Sequence, residues 1–253
     1  MAVTSAVVTG GASGIGREVV GRLRDGGHDV VVWDLSEADI ACDVSDPDAV
    51  AAAMQRTVRE HGVPTRMVTC AGIGASGMLL EQAPAEWNRV LSVNLTGTWL
   101  TIRAAAQAMV DAGVGGSIVA VSSISGTVAD REMGAYCVSK AGVNMLVKVA
   151  AAEWGGYGIR VNAVGPGVTR TPMLVDAERL PGWLDALSER TALGGVGDAT
   201  DVAGVIVGVL ELPWVTGQVV HADGGLALHS PIDSYGQLQR VMAGMGQKKP
   251  EAE

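Results

Sequence analysis

The sequence predicts a single α/β domain: a doubly wound parallel sheet of about seven strands with helices on both faces. Short β-branched apolar runs alternate with longer stretches of helical periodicity, and no composition break divides the chain. A strand buried on both faces reads as a continuous apolar run, and a helical crossover between two such strands makes them parallel. The size agrees, since 253 residues with 48% hydrophobic and 18% charged residues fill one core and exclude a disordered chain.

The first strand, AVVT at 6–9, runs directly into TGGASGIGRE at 9–18 and a helix near 14–25. Gly10 permits the sharp turn. Gly14 lets backbone approach a diphosphate at the helix N-terminus, where unpaired N–H groups and the dipole favour anions. Gly16 lets the helix pack close to the strand. The second strand, DVVVW at 29–33, is followed by Asp34, eighteen residues beyond Gly16. A carboxylate there accepts both hydroxyls of an adenosine ribose and repels a 2′-phosphate. No Arg or Lys follows closely, so NAD is expected over NADP. A weak third strand, ADIAC at 38–42, precedes Asp43 and Val44, a place from which an adenine edge is contacted.

A helix near 46–61 leads to RMVTC at 66–70, and a long helix at 84–112 leads to SIVAVS at 117–122. The helix at 133–155 carries AYCVSKAG, with Tyr136 and Lys140 four residues apart and therefore on one face. IRVNAV at 159–164, a helix at 199–210 and QVVHA at 218–222 complete the pattern. An unperturbed tyrosine titrates near pH 10 and is a poor base at neutrality. An ammonium ~4 Å away contributes ~1 kcal/mol in water but ~4 kcal/mol at an effective dielectric near 20. The pair is catalytic only in a dry cleft.

These motifs, in this order, make the chain similar to the short-chain dehydrogenase/reductase family from residue 4 to about residue 228. They are Thr9 to Gly16, Asp34, Asp43-Val44, Asn94 in SVNLTGTW, a serine in VSSISG, Tyr136 with Lys140, GPGVTRTPM and TGQVVHADGG. The resemblance implies a Rossmann-type fold, oxidation of an alcohol or reduction of a ketone with NAD, and a catalytic set of Asn94, Ser123, Tyr136 and Lys140. The family's spacing selects Ser123, thirteen residues before Tyr136, over Ser122 and Ser125. It also implies cofactor contacts from Gly10, Ser13, Gly14, Ile15, Gly16, Asp34, Leu35, Asp43, Val44, Cys70, Ala71, Gly72, Tyr136 and Lys140, and from Pro166, Gly167, Val168, Thr169 and Thr171 in the later loop. A homotetramer through the helices at 84–112 and 133–155 is implied as well. Two positions depart from the family pattern. Thr69-Cys70-Ala71-Gly72 stands where Asn-Asn-Ala-Gly is usual, removing asparagine bonds that brace the central strands. Thr169 replaces an aliphatic residue and makes the nicotinamide wall more polar.

Composition excludes other classes. Eighteen Lys and Arg against 27 Asp and Glu give a net charge of -9, unsuited to nucleic acid or an anionic membrane. Cys42, Cys70 and Cys137 are odd in number and form no CxxC pair, which fits a reducing cytoplasm. No signal segment precedes the first strand, and the longest apolar stretch, 202–210, is too short to cross a bilayer. His28, His61, His221 and His229 lack ligand spacing, so structural or solvated roles are expected and no metal is. Residues 171–197 occupy the family's substrate lid, with Met173, Leu174, Leu180, Trp183, Leu184 and Leu187 as an apolar lining for a hydrophobic secondary alcohol or ketone. Residues 229–253 form an extension in which Tyr235, Leu238, Val241, Met242 and Met245 fall at helical spacing. The last seven residues, QKKPEAE, read as a disordered tail. An NADPH-dependent 3-oxoacyl-thioester reductase and a non-catalytic nucleotide sensor are the alternatives.

Overall fold

A computed structural model describes residues 5–174, 180–228 and 233–246, without the side chains of 243–246. Seven parallel strands form the main sheet: β1 (Ser5–Thr9), β2 (Asp29–Asp34), β3 (Ile40–Ala41), β4 (Arg66–Thr69), β5 (Gly116–Val121), β6 (Ile159–Pro166) and β9 (Val219–Ala222). Their spatial order is β3-β2-β1-β4-β5-β6-β9, so the direction of winding reverses between β1 and β4. A small pair, β7 (Thr169–Arg170) and β8 (Gly197–Asp198), stands apart.

Alternate side chains of each strand serve opposite faces. Val7 and Val31 face one core with α2 (Pro47–His61), α4 (Thr98–Asp111) and α5 (Gly134–Trp154). Ala6, Val8 and Val32 face the other with α1 (Gly14–Asp25) and α7 (Ala199–Glu211). Trp33 is fully buried, and its indole N–H donates to Thr57 Oγ1 at 3.1 Å, so its one polar atom is satisfied. The start of α2 follows from Asp46, whose side chain accepts from the Asp48 N–H, and from Pro47 in the first turn.

The expected helix at 84–112 is not continuous. α3 (Pro84–Leu91) passes through a π-helical turn, Ser92–Gly97, before α4 begins. The inserted residue turns Asn94 inward, where it is fully buried and bonds Ile73 in a loop 21 residues away. The expected third strand shrinks to two residues. A short α6 (Trp183–Glu189) lies in the segment read as the substrate lid. In the extension, α8 (Ser234–Gly246) forms with Tyr235, Leu238, Val241 and Met242 exposed. The Met245 side chain, His229, residues 175–179 of the lid and the QKKPEAE tail lie outside the described residues. Among those described, no helix is long and apolar enough to cross a membrane, and no group of three His, Cys, Asp or Glu gathers as metal ligands.

Candidate active site

The site lies at the C-terminal ends of the strands, where β1 and β4 diverge, as open α/β sheets arrange it. Gly10 leaves β1 at a φ of 65°, and a Cβ there would stand 2.6 Å from the Ala71 nitrogen. Glycine is required on both counts. Thr9 locks the two strand ends together: its carbonyl accepts from Cys70 N–H at 3.0 Å and its Oγ1 from Ala71 N–H at 3.3 Å. A Cβ on Gly16 would collide with the Gly10 carbonyl oxygen, so α1 packs directly onto the turn. Gly14 has a φ of 50°, and its missing Cβ faces Thr171 Cγ2 at 3.4 Å, which brings the later loop over the glycine turn. Ser13 makes no side-chain cap, so the first N–H groups of α1, beginning with Gly14, Ile15 and Gly16, remain donors for an anion.

Asp34 closes the other side. Its Oδ2 accepts from Ala12 N–H at 3.0 Å and its Oδ1 from Leu35 N–H at 2.8 Å. The carboxylate is thus fixed over the glycine turn. Leu35 beside it is exposed. Asp43 folds back on Ser45, accepting from its N–H at 2.9 Å and its hydroxyl at 2.7 Å. Val44 is buried against Gly97, where a Cβ would stand 2.8 Å from Val44 Cγ2. The uncapped helix, the cradle a Cβ would fill and the fixed acceptor fit a dinucleotide: N–H donors for its diphosphate, a carboxylate for its ribose.

Cys70, Ala71 and Gly72 connect this cradle to the reacting groups. A Cβ on Gly72 would lie 3.3 Å from Asn94 Oδ1 and 3.6 Å from Lys140 Nζ. The Asn94 amide holds the loop at both ends of one residue, accepting from Ile73 N–H at 2.8 Å and donating to Ile73 C=O at 2.9 Å. It also donates to Ser139 Oγ at 3.2 Å. Lys140 is buried; its ammonium donates to the Val121 carbonyl at 2.9 Å and stands 5.6 Å from the centre of the Tyr136 ring. Burial lowers its pKa to about 8. Burial also raises the phenol of Tyr136, while a side-chain hydrogen bond with Ser123 pulls it back. Lys140 is buried and Tyr136 partly so, and burial outweighs the hydrogen bond, so within the protein alone Tyr136 is a protonated phenol at neutral pH.

Three serines follow β5, and the structure separates them. Ser122 Oγ donates to Asn144 Oδ1 at 2.6 Å, turned away from the cleft. Ser123 Oγ accepts from Ser125 N–H at 3.1 Å and faces Tyr136. Pro166 ends β6, and Gly167 and Val168 lead into β7; a Cβ on Gly167 would stand 2.7 Å from the Asp223 Cα. The Thr169 hydroxyl donates to Gly167 C=O at 3.0 Å within its own loop, and the residue is buried. The buried Thr69 Oγ1 has no partner among the described residues, which marks the lost asparagine brace. The thiol of the adjacent Cys70 is pushed up to about 12 by burial and stays neutral. Of the apolar lid residues, Met173 and Leu180 are exposed and Leu174, Trp183, Leu184 and Leu187 are half-buried.

Sequence reasoning passed over Asn144 and read His221 only as structural or solvated. Asn144 lies four residues beyond Lys140 on α5, so the same spacing that drew attention to Tyr136 and Lys140 also marks it. His221 had no signal, because its partner Thr127 is 94 residues away.

Comparison with known proteins agrees with this geometry. A family model described as enoyl-(acyl carrier protein) reductase matches residues 10–227. The human (3R)-3-hydroxyacyl-CoA dehydrogenase is 37% identical over 249 residues, spanning 87% of this chain and 94% of its own. A short-chain type dehydrogenase/reductase from Mycobacterium marinum superposes with a TM-score of 0.84 at 30% identity, covering 89% of this chain and 96% of its own. A gluconate 5-dehydrogenase from Burkholderia cenocepacia, solved with NADP and tartrate, gives a TM-score of 0.86 at 27% identity over 90% and 96% of the two chains.

Proposed function

The chain belongs to the short-chain dehydrogenase/reductase family, and from that premise we propose that it is an NAD-dependent oxidoreductase interconverting a hydrophobic secondary alcohol and its ketone. The observation that carries the reaction type is the convergence of Ser123, Tyr136 and the buried Lys140 in one cleft beside the glycine turn. Asp34 supports NAD: an anion fixed by two backbone N–H groups repels a 2′-phosphate at that place.

A bound nicotinamide supplies the hydride acceptor in oxidation and the donor in reduction. Gly10, Ser13, Gly14, Ile15 and Gly16 hold the diphosphate; Asp34, Leu35, Asp43 and Val44 hold the adenosine end. Cys70, Ala71, Gly72, Pro166, Gly167, Val168, Thr169 and Thr171 line the nicotinamide end. Ser123 hydrogen-bonds the substrate oxygen through its hydroxyl and keeps its proton. Tyr136 takes the substrate's hydroxyl proton in oxidation and returns it in reduction. Lys140, anchored on Val121, keeps two ammonium protons for a ribose and its charge for the phenolate. Asn94 fixes the Gly72–Ile73 loop against Lys140.

A screen of NAD reduction over secondary alcohols of increasing size tests the reading, with a (3R)-3-hydroxyacyl thioester included because of the human relative's name. We expect turnover with NAD at least tenfold faster than with NADP, and Asp34→Ser to bring the ratio toward one. Equal rates in the native chain would overturn the cofactor assignment. A second reading, an NADPH-linked 3-oxoacyl-thioester reductase, draws on the family model's acyl-carrier description. NADPH consumption exceeding NADH consumption on a 3-oxoacyl thioester would favour it. Tight NAD binding with no turnover anywhere would instead favour a nucleotide sensor.

A further inference from the structure

The segment that presents Ser123 runs from Ser122 to Val128 between β5 and α5, and it is held from two sides. On the α5 side, Asn144 accepts from Ser122 Oγ at 2.6 Å and donates from Nδ2 to the Gly126 carbonyl at 3.1 Å. Gly126 lies so close to α5 that a Cβ there would stand 2.8 Å from the Lys140 carbonyl carbon. On the opposite side, His221 Nε2 is 3.1 Å from Thr127 Oγ1. His221 belongs to the edge strand β9 and pairs in register with Gly165 of β6. Its ring lies across that glycine: the position a Gly165 Cβ would take is 2.8 Å from His221 Cδ2 and 3.3 Å from the carbonyl carbon of Ser123. One edge of the solvent-exposed imidazole therefore lies in the space a side chain at 165 would fill, beside the Ser123 backbone, with its nitrogen on the exposed Thr127 at the far end of the same short segment.

We propose that His221 is a positioning residue for the reaction: with Thr127 it latches the segment onto the sheet and fixes the Ser123 hydroxyl toward Tyr136. The inference rests on the reading of Ser123 as the hydroxyl that meets substrate. It makes His221 act through Ser123 rather than on substrate. Misplacing a positioned group by an ångström costs far more rate than binding. The Asn144 contacts hold the segment in place without the latch, so its loss loosens Ser123 and does not unfold the loop.

His221→Ala, His221→Gln, Thr127→Val and the double variant His221→Ala/Thr127→Val test it. We expect His221→Ala to lower kcat about tenfold with the NAD dissociation constant and substrate KM within twofold, since rate and not affinity depends on Ser123 geometry. His221→Gln, whose amide reaches Thr127, should recover most of the rate. Thr127→Val should match His221→Ala, and the double variant should be no slower than either single one. Amide exchange over 123–128 should quicken in His221→Ala, because the N–H groups of Ser125, Gly126, Thr127 and Val128 all bond within this segment. Unchanged kcat, additive losses, or unaltered exchange in a folded His221→Ala protein would each overturn the latch. Absence of any alcohol turnover in the native chain would defeat the functional reading instead, and the exchange measurement would then decide the latch alone.

Discussion

Tyr136 and Lys140 sit one helical turn apart on α5, and burial moves them in opposite directions, the phenol upward and the ammonium down to about 8. Both shifts disfavour charge, so the resting pair near neutrality is a phenol beside a weakened cation. Deprotonating the phenol demands a neighbouring positive charge, which Lys140 supplies only while it stays protonated. Tyr136→Phe should lower turnover by about 10³-fold, within the range for general acid–base groups, while NAD binding followed by protein fluorescence persists. Retained activity would refute the assignment of the base. Lys140 also predicts a pH effect on stability. Its ordinary pKa of 10.5 falls to about 8 on burial, so between those values the unfolded chain binds more protons than the folded one. Stability contributed by this group is therefore present above 10.5 and lost as pH falls through about 8. Lys140→Met should be inactive yet more stable than the native chain at pH 7, by about 2 kcal/mol after allowing for the lost bond to Val121. The gap should narrow as pH rises toward 10.5, and denaturant melts across that window measure it. A gap independent of pH would show that the ammonium is not the cause.

At the scale of elements, what the sequence made readable was whatever depends on local pattern. The strands could be read because both faces are buried, as at Val7 and Val8 of β1, and α2 because Asp46 and Pro47 announce it. The glycine turn could be read because each glycine answers a separate steric demand of the chain itself. The break in the 84–112 helix could not: Val93, Asn94, Thr96 and Gly97 are weak helix formers, but such residues do not by themselves specify a π-turn. The π-turn reflects the Asn94 contacts with Ile73 and Ser139, groups that adjoin it only after folding. For the same reason the β7–β8 pair and the inward Thr169 hydroxyl escaped notice: each depends on the path of a loop, not on a period. Within the site, Asn144 could be read from its spacing and His221 could not. The π-turn argument is open to test. Asn94→Ala leaves the part-buried N–H and C=O of Ile73 without side-chain partners, which should cost about 1–3 kcal/mol in a denaturant titration. NAD affinity should fall with it, because Gly72 loses its support. A loss below about 0.5 kcal/mol, the usual scatter of surface substitutions, would mean that the turn stands without Asn94.

For the molecule as a whole, the question is what covers the apolar surface that the fold leaves in water. On α5, Val138, Met145 and Val149 are 48%, 59% and 46% exposed, and their spacing sets them along one side of the helix. Trp99 of α4 is 41% exposed, with the Arg103 guanidinium 5.5 Å from its ring. Scattered apolar side chains on a surface need no explanation, whereas a stripe along a 21-residue helix does. The sheet cannot cover it, because the opposite side of α5, with Val143 and Val147, is already buried against the strands. A second copy presenting the same stripe would cover it symmetrically, the self-complementary contact from which closed dimers and tetramers are built. Light scattering at micromolar concentration should therefore give a mass above one chain, with four chains as the expected value. Met145→Glu combined with Val149→Glu places two carboxylates in each facing stripe, four per contact, and should divide the assembly at that contact. Loss of NAD turnover in the divided species would indicate that the contact also steadies Tyr136 and Lys140 on the same helix. A native chain that scatters as a single copy would leave the exposed stripe without this explanation and set aside the tetramer.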